Sequence, residues 1–207
     1  MADHPRSTTY RPSRAHWATT GAPQLIGNRP TAALRRGRRA AYRSAVPIDV
    51  AGDVQVATIN GDSRSLAEWT TNFHLAMVVV DPFTYESSWI LDTAVRILRV
   101  YAEADCRPCF VVTGTEAEAK QFMGKLAREF LIFVDPERTF VKAMDLETLP
   151  AFVHMNLAPA IETKAEGWEP AEWRAVAERL ALVMSWRRPN IPVAQDPVPF
   201  VGTPALG

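Results

Sequence analysis

The sequence predicts an α/β protein with a central, mostly parallel sheet and helices on both faces. Three short apolar runs, 75–80, 110–113 and 131–134, contain the β-branched residues that are typical of strands buried on both faces. Two stretches with helical spacing of apolar residues separate them, one from Thr84 to about Ala104 and one beginning at Thr115. Strands that alternate with helices in this way favour parallel pairing, and we expect a central sheet of four or five strands.

The chain after these strands predicts an antiparallel strand pair and a last helix. A strand over 149–155 contains Pro150 near its start, and the Ala158-Pro159 turn leads to a second strand over 160–164. The last helix, over 169–186, has a proline in its first turn, where proline is preferred.

Composition divides the chain into a basic N-terminal arm over 1–52, a compact domain over 53–186 and a proline-rich tail over 187–207. The first 50 residues hold nine arginines, no lysine and two acidic residues, a formal charge of +7 in a chain that is neutral overall. We expect this arm to be partly extended and to contact an acidic partner or the protein's own domain. The tail holds five prolines and predicts no regular structure. The domain opens with a strand around 54–58 and a helical turn around 65–69.

The apolar segments are too short for a membrane protein. The longest, 75–80, is far below the roughly 20 residues that a membrane-spanning helix needs. The first ten residues are polar, and no apolar segment behind them resembles a secretion signal. We therefore expect a cytoplasmic protein without a membrane span. Only two cysteines are present, so no disulfide framework holds the fold together.

Several short motifs resemble those of a known superfamily. They are Val78–Ser87, Phe110–Gly114, Asp135-Pro136-Glu137, Leu149-Pro150-Ala151-Phe152 and Gly167-Trp168-Glu169-Pro170. In these motifs and in the order of its elements, the segment 53–186 resembles the thioredoxin-like superfamily, in particular the branch of TlpA-type disulfide reductases and peroxiredoxins. The resemblance implies a thioredoxin-like fold and does not by itself imply an activity.

In that superfamily a Cys-x-x-Cys motif stands at the start of the helix that follows the first central strand. The matching segment here is Thr84-Tyr85-Glu86-Ser87, in which hydroxyls replace both thiols. Ser87 also stands where the peroxiredoxin pattern has its reactive cysteine. A serine hydroxyl has no accessible anion near pH 7 and forms no disulfide, so we expect no catalytic residue in this vestigial site.

Pro150 matches the superfamily's proline that precedes the strand facing the active site. That proline is usually cis and presents its backbone to a bound peptide, so the resemblance implies a cis Leu149–Pro150 bond and a peptide-binding groove. We expect the groove to consist of Phe83, Thr84, Tyr85, Glu86, Leu149 and Pro150.

The segment Cys106-Arg107-Pro108-Cys109 offers an alternative redox pair. Its position at the end of a helix and the start of a strand reverses the strand-to-helix order of the superfamily's motif. The negative end of a helix dipole disfavours a thiolate, and an apolar strand would bury Cys109. These features favour two structural thiols over a reactive pair.

No metal, cofactor or nucleic-acid site is expected. The histidines at 4, 16, 74 and 154 do not lie at metal-ligand spacing with one another or with the cysteines, and no glycine-rich phosphate loop occurs. We expect His154 to be a core or rim histidine, or to face the groove beside Pro150. Only four of the arm's arginines cluster tightly, which disfavours nucleic acid as a partner.

Three functions follow from these observations. The first is a redox-inactive adaptor that binds a protein partner through the Pro150 groove, the basic arm or the tail. The second is a thiol–disulfide oxidoreductase or peroxiredoxin-like enzyme that uses Cys106 and Cys109, which requires accessible thiols with Cα atoms within about 7 Å. The third is an assembly subunit whose arm and tail wrap neighbouring molecules instead of packing on their own domain.

Overall fold

A computed structural model describes residues 47–207, which form ten strands and five α-helices. The basic arm therefore lies, up to residue 46, outside the described residues. The strands are β1 (Ile48–Asp49), β2 (Gln55–Thr58), β3 (Ser63–Ser65), β4 (His74–Val80), β5 (Cys106–Val112), β6 (Leu131–Val134), β7 (Thr148–Leu149), β8 (Ala151–Met155), β9 (Ala160–Glu166) and β10 (Thr203–Pro204). The helices are α1 (Leu66–Thr70), α2 (Tyr85–Arg99), α3 (Glu116–Met123), α4 (Thr139–Ala143) and α5 (Pro170–Val183), with a 3-10 helix at Gly124–Arg128.

Eight strands form one mixed sheet in the order β1-β9-β8-β4-β5-β6-β2-β3. The pairings β4–β5 and β5–β6 are parallel, and every other pairing in this sheet is antiparallel. The predicted α/β class and the antiparallel pair β8–β9 are confirmed. The predicted count of four or five strands is wrong: the sheet has eight, because β2 joins it beside β6 and the short strands β1 and β3 form its two edges.

Side chains of the sheet alternate between two apolar cores. On β4, Ala76, Val78 and Val80 face the core that contains α2, α3 and α5, whereas Leu75, Met77 and Val79 face the core that contains α1 and α4. All six side chains are fully buried, as the continuous apolar run predicts. This strand is the centre of the molecule, and its carboxyl end leads into the candidate site.

Helix caps fix where the elements begin. Thr115 and Glu118 form a capping box at the start of α3, and Ser65 and Glu68 form one at the start of α1. Helix α2 begins after Thr84, as predicted, but ends at Arg99 and not near Ala104. The backbone N–H groups of Val100 and Tyr101 donate to carbonyls three residues back, and this tighter turn ends the α-helix.

The proline-rich tail contains regular structure, contrary to the prediction. Strand β10 pairs antiparallel with β7 in a separate two-stranded sheet, and Phe200 forms an isolated bridge with Trp168. The tail also buries Ile191 and Ala205. The residues that pair with β10 and Phe200 lie more than 30 residues earlier in the sequence, so no local pattern in the tail predicts the pairing.

Candidate functional site

The vestigial site lies where β4 ends and α2 begins. Strand β4 pairs antiparallel with β8, and the register Val79↔Ala151 places Pro150 beside Val80 at this end of the sheet. The Leu149–Pro150 peptide bond is cis. The fold therefore brings Thr84, Ser87 and Pro150 to the same end of the sheet, at the carboxyl ends of the parallel strands β4, β5 and β6. In open α/β sheets this is the usual place for a ligand site.

Thr84 and Ser87 form a hydrogen-bonded pair. Their hydroxyl oxygens lie 2.9 Å apart, and the Asp81 backbone N–H donates to Ser87 Oγ at 2.9 Å. Thr84 is the N-cap residue of α2, and its hydroxyl also lies 3.2 Å from the Asp81 carbonyl oxygen instead of capping the helix. Ser87 is fully buried and Thr84 is half-buried. The hydroxyls thus hold the loop to the helix, which is a structural role.

Asp81 carries the buried charge of this site. One carboxylate oxygen accepts from the Phe83 backbone N–H at 2.9 Å, and the other accepts from Arg138 Nη2 at 2.7 Å. Arg138 lies between β6 and α4 with a φ of 55°, a left-handed conformation that is uncommon for arginine. Its other terminal nitrogen donates to the Ala205 carbonyl at 2.7 Å. The sequence motifs did not indicate this arginine, because its partners lie far away in the chain.

The tail covers part of the predicted groove. Thr203 pairs with Leu149, and Pro204 pairs with Thr148, so β10 lies along the residues just before Pro150. Leu149 is fully buried and Pro150 is buried. Among the other predicted groove residues, Phe83 and Tyr85 are 67% and 77% exposed, and Glu86 is half-buried.

Three aromatic side chains form an apolar surface next to the vestigial site. Tyr85 stacks with Trp89 at 6.4 Å between ring centroids, and Trp89 meets Phe200 of the tail edge-on at 5.8 Å. We call Tyr85, Trp89 and Phe200 the aromatic surface; the Trp89 side chain is 55% exposed. Sequence reasoning missed Trp89, although its position four residues after Tyr85, on the polar side of α2, was a signal.

Cys106 and Cys109 do not resemble a redox pair in their placement. Both are in β5, and they face opposite sides of the sheet, Cys106 in the core of α2 and Cys109 in the core of α4. Three residues of extended strand separate their Cα atoms by about 10 Å, beyond the reach of a disulfide. Cys106 pairs with His74 at the start of β4. The vestigial site follows Val80 at the other end of this strand, roughly 20 Å away for six extended residues.

Burial also suppresses the reactivity of both thiols. It raises the pKa of Cys106 to about 12, with the neighbouring Asp105 charge as a second cause. Burial also raises the pKa of Cys109, which is fully inaccessible. The prediction placed Cys106 at the end of a helix and the start of a strand; Cys106 is the first residue of β5, but α2 ends seven residues before it. Desolvation, more than a helix dipole, therefore disfavours the thiolate.

His154 faces another histidine and not the Pro150 groove. His74 Nδ1 and His154 Nε2 lie 3.0 Å apart, and His154 Nδ1 is buried without a hydrogen-bond partner. Burial, followed by the nearby His74, lowers the pKa of His154 to about 4. Burial also lowers the pKa of His74, whereas Glu162 opposes this shift. His154 is thus a buried histidine that pairs with the half-buried His74.

Residues 47–207 bring no three His, Cys, Asp or Glu side chains into an arrangement that could hold a metal ion. Within the same range, none of the helices has the length and hydrophobicity that a membrane span requires.

Known structures of similar fold share little sequence with this chain. A hypothetical protein of Sinorhizobium meliloti is 13% identical with a TM-score of 0.57, and the match covers 79% of this chain and 96% of that one. The thioredoxin domain of a thiol-disulfide oxidoreductase from Bacteroides vulgatus is 14% identical with a TM-score of 0.50, and the match covers 66% and 99%. The fold is thioredoxin-like.

A peroxiredoxin-type neighbour gives the same result. The bacterioferritin comigratory protein of Xanthomonas campestris, whose structure was studied for alkyl peroxide reduction, is 12% identical with a TM-score of 0.51. The match covers 67% of this chain and 94% of that protein. At such identities these likenesses establish the thioredoxin-like fold and not an activity. No protein-family model and no curated protein matches the chain.

Proposed function

We propose that this thioredoxin-like protein binds a protein partner and catalyses no thiol–disulfide exchange. The observation that carries the proposal is the Thr84–Ser87 hydroxyl pair, which occupies the start of α2 beside cis-Pro150. Thiol–disulfide exchange requires a thiolate that attacks sulfur and a second thiol that resolves the mixed disulfide. Neither hydroxyl supplies either group.

The chain's two cysteines do not replace the missing pair. Cys106 and Cys109 face different cores, and burial raises the pKa of both thiols. An enzyme that used them would have to open β5, which lies between β4 and β6 in the middle of the sheet. This burial supports the binding function over the oxidoreductase alternative.

The aromatic surface is the part of the described chain best suited to bind a protein. Exposed aromatic residues contribute much of the binding energy in protein interfaces, since they bury a large area with few rotatable bonds. Tyr85 and Trp89 are both more than half exposed, and Phe200 holds Trp89 in place at its edge. We infer that the partner presents an apolar surface to these rings.

The test replaces Tyr85 with a photo-reactive phenylalanine analogue in the full chain and identifies cross-linked proteins in the native cell. We expect one defined partner, whose capture by the unmodified chain is lost in the Tyr85→Ser/Trp89→Ser variant. Leu182→Ser is the matched control, because Leu182 is 61% exposed on the last turn of α5, and it should keep the partner.

Two results would contradict this assignment. If the Tyr85→Ser/Trp89→Ser variant keeps the partner and a chain without residues 1–46 loses it, the basic arm carries the binding. If the cross-linked protein is a second copy of this chain, the protein is an assembly subunit.

A further inference from the structure

The last seven residues of the chain are held differently from the rest of the tail. Up to Phe200 the tail is anchored: Asp196 accepts from Arg96 and Thr93, and Phe200 exchanges two backbone hydrogen bonds with Trp168. Trp168 Nε1 also donates to the Pro197 carbonyl. We call residues 201–207, which follow this anchor, the strap.

The strap lies against the backbone of β7, the two residues that precede Pro150 in the sequence. Thr203 and Pro204 pair with β7, the Ala205 N–H donates to the Glu147 carbonyl at 2.8 Å, and the Ala205 carbonyl accepts from Arg138. An added peptide strand binds a sheet edge through the same kind of backbone hydrogen bonds. The strap is therefore an extended segment paired with β7 in the manner of a peptide ligand, contributed by the protein itself.

Few contacts hold the strap. Ala205 is its only buried residue, whereas Val201 and Leu206 are 85% and 56% exposed. The paired strand is two residues long, and proline supplies no backbone donor at one of those positions. A segment with one buried methyl group and a two-residue ladder can open without disturbing the core.

The contact between the strap and the groove leaves room only for small residues at positions 202 and 205. Gly202 has a φ of 90°, and a Cβ atom added to it would lie 2.4 Å from the Leu149 carbonyl oxygen. Ala205 fills a site that is closed to solvent, and the segment from 197 to 207 contains no charged side chain. The groove thus fits an extended, uncharged chain with glycine and alanine three residues apart.

We propose that the strap is a displaceable intramolecular ligand, and that a partner segment with the chemistry Phe-x-Gly-Thr-Pro-Ala takes its place. The proposal rests on the proposed function, because it names the kind of partner segment and the element that regulates its access. The partner segment binds only molecules whose strap is open. The apparent affinity for the partner is therefore the affinity of the open form multiplied by the fraction of molecules that are open. Opening frees the backbone hydrogen-bonding groups of Thr148 and Leu149, next to Pro150, for the partner segment.

The first experiment measures hydrogen exchange in the unmodified full chain. We expect the Ala205 amide to exchange by local opening, independent of low denaturant concentrations, while amides of β4 exchange only on global unfolding. Exchange of Ala205 solely with global unfolding would overturn the proposal, because the strap would then be a fixed part of the fold.

The second experiment measures binding of a fluorescent peptide with the sequence of residues 197–207. Gly202→Val in the full chain should force the strap out, and we expect its affinity for the peptide to exceed that of the unmodified chain by at least about tenfold. Leu206→Ala is the control, since the Leu206 side chain is 56% exposed at a position without a positive φ, and it should bind like the unmodified chain. A peptide with valine in place of its glycine should bind neither protein.

Equal peptide affinity in the unmodified chain and in a folded Gly202→Val variant would overturn the proposal. If that variant does not fold, the chain ending at Phe200 takes its place in the same comparison, and the exchange experiment decides independently of both. If the strap proposal is wrong, the partner is still captured through Tyr85 and Trp89. If the proposed function is wrong, that capture is lost, but opening of the strap can still be measured.

Discussion

The Arg138 guanidinium lies 2.7 Å from the Asp81 carboxylate and 2.7 Å from the Ala205 carbonyl oxygen. It therefore joins the loop of the vestigial site to the strap, across three segments that are far apart in the sequence. The Asp81 and Arg138 side chains are 8% and 19% exposed, so water screens their interaction only weakly.

We expect Arg138→Met to lower the free energy of unfolding by about 2–4 kcal/mol, because it leaves the Asp81 carboxylate buried without its cation. Urea unfolding measures this, and the double variant Arg138→Met/Asp81→Asn should lose less than the sum of the two single losses. Arg99→Met breaks the exposed ion pair with Glu129 and serves as the control, with stability close to that of the unmodified chain. Additive losses in the double variant would mean that the two residues act independently.

The buried histidine pair predicts an acid-sensitive fold. The pKa of His154 is about 4 in the folded protein and near 6.5 when unfolded, so the unfolded state binds the proton first as the pH falls. Stability from this group is fully present above pH 6.5 and is lost between pH 6.5 and pH 4. The loss by pH 4 should be roughly 2–3 kcal/mol.

Urea unfolding at pH 7 and pH 4 tests this loss against His154→Gln, which removes the titrating group. The variant should lose less stability over the same interval than the unmodified chain does. His74 and Glu162 also titrate near this interval and are present in both proteins, so the difference between the two losses reports chiefly on His154. Equal losses in the two proteins would show that His154 is not the acid-sensitive group.

The two thiols should be inert in the folded protein. Cys106 is 5% exposed and Cys109 is inaccessible, and burial raises the pKa of both. A chromogenic disulfide reagent should therefore react with them at pH 8 only as fast as the protein unfolds, and with both at once in denaturant. Insulin disulfide reduction and peroxide consumption should not exceed those of a free thiol, and turnover that disappears in Cys106→Ser or Cys109→Ser would support the enzyme alternative.

The sequence predicted the centre of the fold because the local signals there agree with the tertiary structure. The β-branched run of β4 is buried on both faces, and Thr84 and Thr115 stand before helices where predicted. The edge strands β1 and β3 were missed, since a two-residue strand and the segment Ser63–Ser65 carry no hydrophobic alternation. Their pairing comes from the neighbouring strands and not from their own residues.

The candidate site could be predicted only in part, for the same reason. The Thr84–Ser87 segment and Pro150 follow local motifs, and the fold brings them to one edge of the sheet. Arg138 binds Asp81, 57 residues earlier, and Ala205 of the strap, 67 residues later. Contacts between residues so far apart produce no periodic pattern in the sequence. Proline content disfavours regular structure in the tail, but it excludes neither the two-residue strand β10 nor packing against the domain.

The start of α2 is a helix N-terminus, a setting that stabilises a thiolate. Thr84 is the N-cap residue and Ser87 lies three residues later in a helix of 15 residues, with their side-chain oxygens 2.9 Å apart. The unpaired N–H groups and the dipole of the helix stabilise an anion at its N-terminus. Replacing both hydroxyls with thiols therefore tests whether this position in the fold supports thiol–disulfide exchange.

We expect the Thr84→Cys/Ser87→Cys variant to form a disulfide readily and to reduce insulin measurably, whereas the native protein does not. The thiol introduced at position 84 is the half-buried one, and its pKa should fall below the free value of about 8.5, toward the range of roughly 3.5–7.5 found at helix N-termini. Absorbance of the thiolate as a function of pH measures this pKa, and equilibration with glutathione measures the stability of the disulfide.

Thr115→Cys/Glu118→Cys is the matched control, because these residues hold the same N-cap and third positions at the start of α3. Helix α3 follows β5, whereas Pro150 precedes β8, the strand that pairs with β4. It should show a smaller fall in thiol pKa, since α3 has eight residues, and no insulin reduction. If the thiols at positions 84 and 87 titrate like free cysteine and remain unpaired, the start of α2 is not the equivalent of the superfamily's redox site. The vestigial-site assignment would then be withdrawn, although the thioredoxin-like fold would stand, because the fold rests on the sheet and its neighbours and not on these two residues.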